Sequence, residues 1–291
     1  MNRSPRTSER LEPPPAAQPV RRRSMTGVLV ALLFILWAPA ASAAFDQHHK
    51  AWDALLKQQV VLSPDGLAST VRYAAIRAQP KALHSYLATL SSVTPQEYAG
   101  WSRNDQLAFL INAYNAFTID LVLTRYPDMT SIKDLGNLLQ SPWKRKFFRL
   151  LGEPRSLDDV EHGLIRAPGV FDDPRIHVAV VCASVGCPML RDEAYVGEHL
   201  GAQLDDAMRR FLADRSRNRF DAASATLSVS KLFDWYRADF EHGHAGLDSL
   251  QTLFIRYADV LGNTPAARAG LRAGRFKTTY LDYDWSLNDA R

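Results

Sequence analysis

The chain is poor in cysteine: its 291 residues hold two, Cys182 and Cys187. That argues against a disulfide-stapled scaffold, because closing a loop of about six residues contributes only about 2 kcal/mol in the chain-entropy model. The C-x₄-C spacing also departs from the C-x-x-C of disulfide exchangers and from the paired close cysteines of zinc modules. No internal repeat and no low-complexity linker interrupts residues 45–291, which argues against solenoids and strings of tethered modules. No stretch interleaves Lys or Arg with aromatics in a phosphate-tracking pattern, so nucleic acid is not an expected partner. Lys and Arg outnumber Asp and Glu by only 35 to 31, and this surplus shrinks towards neutrality once the arginine-rich amino terminus is set apart.

That terminus reads as a removable leader. Residues 1–24 are rich in Pro, Ser and Arg and run into Arg21-Arg22-Arg23. An unbroken apolar run over 28–37 follows, then Ala41-Ser42-Ala43 ahead of Ala44 and Phe45. A positive stretch, a short apolar run and an A-x-A exit together describe a secretory signal peptide over 1–44. The run is half the roughly 20 residues that a membrane-spanning helix needs, so no retained span is expected. Paired arginines also raise a twin-arginine signal, but Ser24-Met25-Thr26 is a poor continuation and ordinary secretion is favoured. The expectation is a periplasmic or secreted protein with one globular domain over 45–291, a length compatible with a single core. With 46% apolar residues the composition is ample for that core.

Periodicity predicts helices over 45–56, 81–90, 102–125, 156–166, 198–214, 230–240 and 247–261, and a short one opening at Thr94-Pro95. The helix over 102–125 is apolar nearly all the way round, which requires burial on most faces. Asn112 and Asn115 share a face inside it, and buried amides must find partners. Strands are expected at 147–151, at 176–181, in a hairpin over 220–229, and near the carboxyl end. The sum is an α+β fold, mixed and helix-dominated, with a small sheet.

Chemistry converges on RIHVAVVCASVGCP, residues 175–188. If 176–181 is a strand, His177 enters it and the small residues after Cys182 leave it as a loop. The amides of Ser184, Val185 and Gly186 could there form an anion-binding nest that lowers a thiol pKa or holds an oxyanion. A thiol is mostly protonated at neutral pH and needs such a dipole or an imidazole beside it to act as a nucleophile. Cys187 is the preferred nucleophile with Cys182 the alternative, His177 or His162 the base, and Asn112, Asn115 or Glu161 the supports. Asn112, Tyr114 and Asn115 would hold the cysteine loop through its backbone. Asp158 and His162, at i and i+4, would face one another. Lys231, Trp235, Tyr236 and Asp239 fall on a helix read as core; Tyr280, Tyr283, Asp284 and Trp285 would close over a cleft or form a packed clamp. The opposing reading makes both cysteines buried or bridged and His177 a hydrogen-bonded core histidine.

WSRNDQLAFLINAYNA at 101–116, SLDDVEHGLIR at 156–166, DPRIHVAVVCASVGCPML at 173–190, LSVSKLFDWYRADF at 227–240 and YLDYDWSLN at 280–288 together resemble the uncharacterised domain family DUF547. The resemblance implies a secreted or envelope-associated bacterial protein and supplies no activity. It departs at Val181, where many members carry Asn directly before the first cysteine. Plant relatives joined to glutaredoxin-like domains associate the family with thiol chemistry.

The function expected on these grounds is a thiol-dependent hydrolase or transferase acting on an envelope peptide or acyl compound, its ligand a small molecule or peptide. The alternatives are a non-catalytic binding or scaffold module whose Cys, His and Asn residues are structural, or a thiol redox or zinc-binding protein. No cofactor and no metal are expected.

Overall fold

The computed structural model describes residues 44–136 and 140–290. The expected signal peptide, with its apolar run and A-x-A exit, lies outside the described residues. What is described is a helix-dominated α+β fold with small sheets. Helix α1 (Lys50–Gln59) leads into a hairpin of β1 (Val60–Leu62) and β2 (Ser69–Val71), turned at Ser63 to Gly66. Then come α2 (Tyr73–Ala78), α3 (Lys81–Ser92), α4 (Pro95–Ala99) and the long α5 (Arg103–Leu123). A second hairpin pairs β3 (Phe148–Leu150) with β4 (Glu153–Arg155). Helix α6 (Leu200–Ala213) precedes a three-stranded sheet in which β5 (Arg219–Asp221) pairs antiparallel with β6 (Thr226–Val229). On the other side of β6 lies β7 (Lys277–Tyr280), parallel to it, reached through α7 (Leu232–Trp235), α8 (Arg237–Phe240), α9 (Leu250–Arg256), α10 (Ala258–Leu261) and α11 (Pro265–Arg272).

Helix α5 is where sequence and structure agree most closely. Ser102 caps it by accepting the Asp105 amide at 3.1 Å, and Pro127, with no N–H to donate, lies just beyond its end. Nearly every side chain from Leu107 to Val122 is buried, so the helix has no wet face. Among the described residues it is the one helix long and apolar enough to cross a membrane, yet its surface is covered by the protein's own core. Fully burying a large apolar side chain contributes about 1.5–3 kcal/mol. The first core is built around α5, whose Phe109 shares it with Trp52, Leu83 and Leu90. A second gathers Phe211, Phe233, Phe240 and Phe254 beneath α6 to α10.

Four elements differ from expectation. The helix expected from residue 45 begins at Lys50, because the Asp46 carboxylate folds back to accept the His48 and Lys50 amides at 3.1 Å. Phe45 is thereby freed to pack on Trp101 and Phe109. The helices expected over 230–240 and 247–261 are each broken, at Tyr236 (φ −109°, ψ 21°) and Tyr257 (φ −98°, ψ 22°). Most consequential, 176–181 is not a strand. Asp173 accepts the Arg175 amide and Pro174 supplies a preset φ, so Pro174–Val178 winds into a 3₁₀ turn. The backbone after that turn finds a side chain, not a strand, as its partner.

Asn112 does for Tyr195 what a neighbouring strand would do: its Nδ2 donates to the Tyr195 carbonyl at 2.7 Å and its Oδ1 accepts the Tyr195 amide at 3.1 Å. Asn112→Ala leaves two buried backbone groups unpaired. Chemical denaturation is expected to show a loss of about 2–4 kcal/mol, with an unchanged m-value.

Candidate functional site

A cavity of about 230 Å³ gathers residues from six parts of the chain. Helix α5 lines it with Tyr114 and, through Asn115, holds the backbone of one wall. The Nδ2 of Asn115 donates to the Ala179 carbonyl at 2.9 Å and its Oδ1 accepts the Val181 amide at 3.0 Å. One buried amide thus fixes the backbone between His177 and Cys182 in the absence of a strand. Tyr114, the preceding residue, donates its hydroxyl to Glu161 Oε2 at 3.0 Å.

The cysteine loop is shaped from outside by the carboxyl-terminal segment. The Val185 amide donates to the Ser286 carbonyl and the Gly186 amide to the Asp284 carbonyl, each at 2.8 Å. The expected anion nest therefore does not form, because two of its three donors are spent on the tail. Gly186 is required by this approach: a Cβ there would lie 2.9 Å from the backbone N and O of Asp284. Ala183 takes a left-handed φ of 60°, a strained conformation for a residue with a side chain. The turn it makes brings Cys187 back under Cys182.

The two sulfurs are 2.9 Å apart and both are free thiols. Cys182 is only partly buried and lines the cavity; Cys187 also lines it but is 4% exposed. Ser184 Oγ lies 3.0 Å and Tyr283 Oη 3.2 Å from Cys182 Sγ. Hydrogen bonds from Cys187, Ser184 and Tyr283 to the ionised sulfur outweigh burial and bring the Cys182 thiol down to about 7. Burial and the neighbouring Cys182 charge push Cys187 well above the ordinary thiol range. Burial likewise raises the Tyr283 hydroxyl, so it stays protonated and able to donate.

His177 stands on another wall of the cavity, its ring stacked on Tyr236 at 3.8 Å between centroids. Its Nε2 is 2.8 Å from Asp239 Oδ2, while its Nδ1 is buried with no hydrogen-bond partner. Asp239 is also gripped by Arg166 Nε at 2.6 Å and Nη2 at 3.1 Å. Burial would raise the Asp239 carboxyl, but the hydrogen bonds from His177 and Arg166 hold it far below the usual range. An ionised carboxylate can only accept, so His177 carries its proton on Nε2 and presents a lone pair at Nδ1. Burial lowers His177, against the pull of Asp239, which keeps the ring neutral.

The remaining expected residues take distinct places. Glu161 is buried and accepts from Tyr114 and, at 2.7 Å, from Tyr236. His162 lies at the mouth, its Nε2 3.5 Å from Asp158 as the i,i+4 spacing predicts, with Arg166 on its Nδ1. Both come from a π-helical turn, Asp159–Ile165, opened by reciprocal bonds between Ser156 and Asp159. Among the described residues no three His, Cys, Asp or Glu side chains converge as metal ligands. Ser184 and Asn115 support the sulfur and its approach; Asn112 serves Tyr195 instead. Asp239 and Tyr283 carry more of the site than their sequence context indicated. The one usable signal was a pair of carboxylates, Asp234 and Asp239, within the aromatic run of 233–240. The rim is aromatic, with Trp235 46% exposed and stacked on Trp285.

No significant match is found among curated proteins or among solved structures. Residues 98–212 match the family model described as a protein of unknown function, DUF547. The match spans α5, the Glu161 turn and both cysteines; the two resembling segments at 227–240 and 280–288 fall outside it. The likeness to this family of unknown function thus covers residues 98–212 of the 291-residue chain.

Proposed function

We propose that the protein is an exported thiol-dependent hydrolase or acyltransferase with Cys182, not Cys187, as its nucleophile. The observation that carries this reading is a single cavity lined by a thiol with three hydrogen-bond partners at 2.9–3.2 Å and by an imidazole whose buried Nδ1 has no hydrogen-bond partner. A scaffold would fill the space between His177 and the cysteines with apolar side chains; a cavity lies there instead. The amino-terminal leader pattern supports export to the periplasm or beyond.

The residues take complementary roles. The Cys182 thiolate attacks an acyl carbon, forming a C–S bond as the C–O or C–N bond to the leaving group breaks, and that group departs with a proton from the medium. His177 Nδ1 then takes a proton from water, or from an acceptor hydroxyl or amine, as it attacks the thioester and returns the thiolate. Asp239 fixes the tautomer and orients the ring, as a carboxylate does behind a catalytic imidazole. The substrate is an acyl compound or peptide whose acyl end reaches past an aromatic mouth.

The direct test is the mature protein with p-nitrophenyl acetate. A burst approaching one equivalent is expected, with one acetyl group on Cys182 by peptide mass; it should vanish in Cys182→Ser and persist in Cys187→Ser. No burst in the wild type, or a burst surviving Cys182→Ser, would overturn the assignment.

Two further outcomes follow. Iodoacetamide should alkylate Cys182 with a rate that rises with pH through about 7, as the thiol ionises. Tyr283→Phe, which removes one donor to the thiolate, should move that midpoint up by about one pH unit. Asp239→Asn should lower kcat/KM for ester hydrolysis by roughly 10²–10⁴-fold while leaving the alkylation midpoint within a few tenths of a unit. A midpoint shifted as far as in Tyr283→Phe would instead mark a general disturbance of the loop.

A further inference from the structure

Cys187 forms no bond to the acyl group in that chemistry, supporting the Cys182 sulfur only as a hydrogen-bond partner, and its surroundings are specific. Its sulfur is 2.9 Å from Cys182 Sγ and accepts the Cys182 amide, also at 2.9 Å. The side chain is 4% exposed, so a solute entering the cavity meets Cys182 first. The loop between them closes through Ala183 in the left-handed region and is tied to the tail by the amides of Val185 and Gly186. A bridge needs Sγ atoms at about 2.0 Å, so the pair at 2.9 Å lies within about 1 Å of bonding distance. A buried cysteine serving only as a small apolar filler has no reason to hold its sulfur against a second thiol lining a cavity.

We propose that Cys182 and Cys187 form a peroxide-reactive pair, with Cys182 attacked by a hydroperoxide and Cys187 resolving it to a reversible disulfide. This rests on the same accessible Cys182 thiolate as the acyl reading, but not on acyl transfer. In the first step the Cys182 thiolate attacks the distal oxygen of ROOH. An S–O bond forms and the O–O bond breaks, leaving Cys182 as a sulfenic acid and RO⁻, which takes a proton as ROH. In the second, Cys187 sulfur attacks the sulfenic sulfur, forming the S–S bond; its thiol proton and the sulfenic OH leave as water. The pair gives two electrons and the peroxide accepts them. Return to the dithiol takes two electrons from an external thiol or dithiol, by exchange at the partly exposed Cys182 sulfur. While bridged, the nucleophile is absent, so oxidation shuts the acyl site.

The test uses full mature protein, reduced and freed of reductant, then given one equivalent of hydrogen peroxide or cumene hydroperoxide at pH 7. The expected result is loss of two hydrogens by intact mass, mapped to a Cys182–Cys187 bridge. It should form at least about tenfold faster than free cysteine is oxidised, since the thiolate is already partly present. Dithiothreitol should restore both thiols and the acetate burst. In Cys187→Ser, with Cys187→Ala as the alternative should the first fold poorly, peroxide should leave a dimedone-trappable sulfenic acid on Cys182 and no bridge. Oxidation no faster than free cysteine, absence of the bridge, or a bridge that resists dithiothreitol would each overturn the proposal. The two readings separate cleanly: a burst without peroxide bridging removes only the redox pair, and bridging without a burst removes only the acyl chemistry.

Discussion

One side-chain amide governs the geometry of this site. Asn115 sits in a helix with no exposed face, yet it satisfies both a carbonyl and an amide of the segment that carries His177 into Cys182. A buried backbone group left unpaired costs about 1–3 kcal/mol, so an irregular segment can lie against α5 only because this amide stands in for a strand. A regular strand at 176–181 would have placed His177 and Cys182 by alternation on opposite faces. The 3₁₀ turn followed by the amide clamp brings both onto walls of the same cavity instead. The irregularity of the segment and the existence of the site are thus one structural fact.

Charge around the cavity is divided so that the thiol and the imidazole are prepared independently. Arg166 and His177 both bond Asp239, which fixes the proton on Nε2 and leaves the buried Nδ1 without a hydrogen-bond partner. Glu161 is occupied at both oxygens by tyrosine hydroxyls, so it is held away from competing for that imidazole. The sulfur is stabilised by neutral donors, Cys187, Ser184 and Tyr283, without needing a protonated histidine beside it. A thiolate formed this way leaves His177 neutral, as the proposed acyl transfer requires.

Much of this was legible in the sequence, and the limits have physical causes. The core helix declared itself through a cap, a terminating proline and an apolar surface without a polar face, and the hairpin at 220–229 through its turn residues. Those signals are local, so they survive folding. The run 176–181 misled because Val and Ile fill a 3₁₀ turn and a buried strand equally well; Asp173-Pro174, a good cap and first position, was the sign that a turn would start there. The residues gathered at the cavity, His177, Cys182, Cys187, His162 and Glu161, were nameable as a set. Ranking the two sulfurs was not possible, because it depends on Tyr283, about a hundred positions away in sequence. Asp239 was obscured in the same way: an aromatic helix face reads as packing until the imidazole it orients is placed against it.

That dependence on distant chain also says what the family-matched segment can and cannot accomplish. Residues 98–212 bring the two sulfurs, Ser184, Asn115, Glu161 and His177. They lack the Tyr283 hydroxyl, the Asp239 carboxylate, and the tail carbonyls at Asp284 and Ser286 that hold the cysteine loop. Without the tail, the amides of Val185 and Gly186 lose their partners, and the loop loses what opposes the strained φ at Ala183. Without Asp239, the His177 tautomer is no longer fixed, and the lone pair at Nδ1 is no longer assured. The matched segment carries the two sulfurs and the imidazole; the chemistry proposed for them depends on the chain that follows.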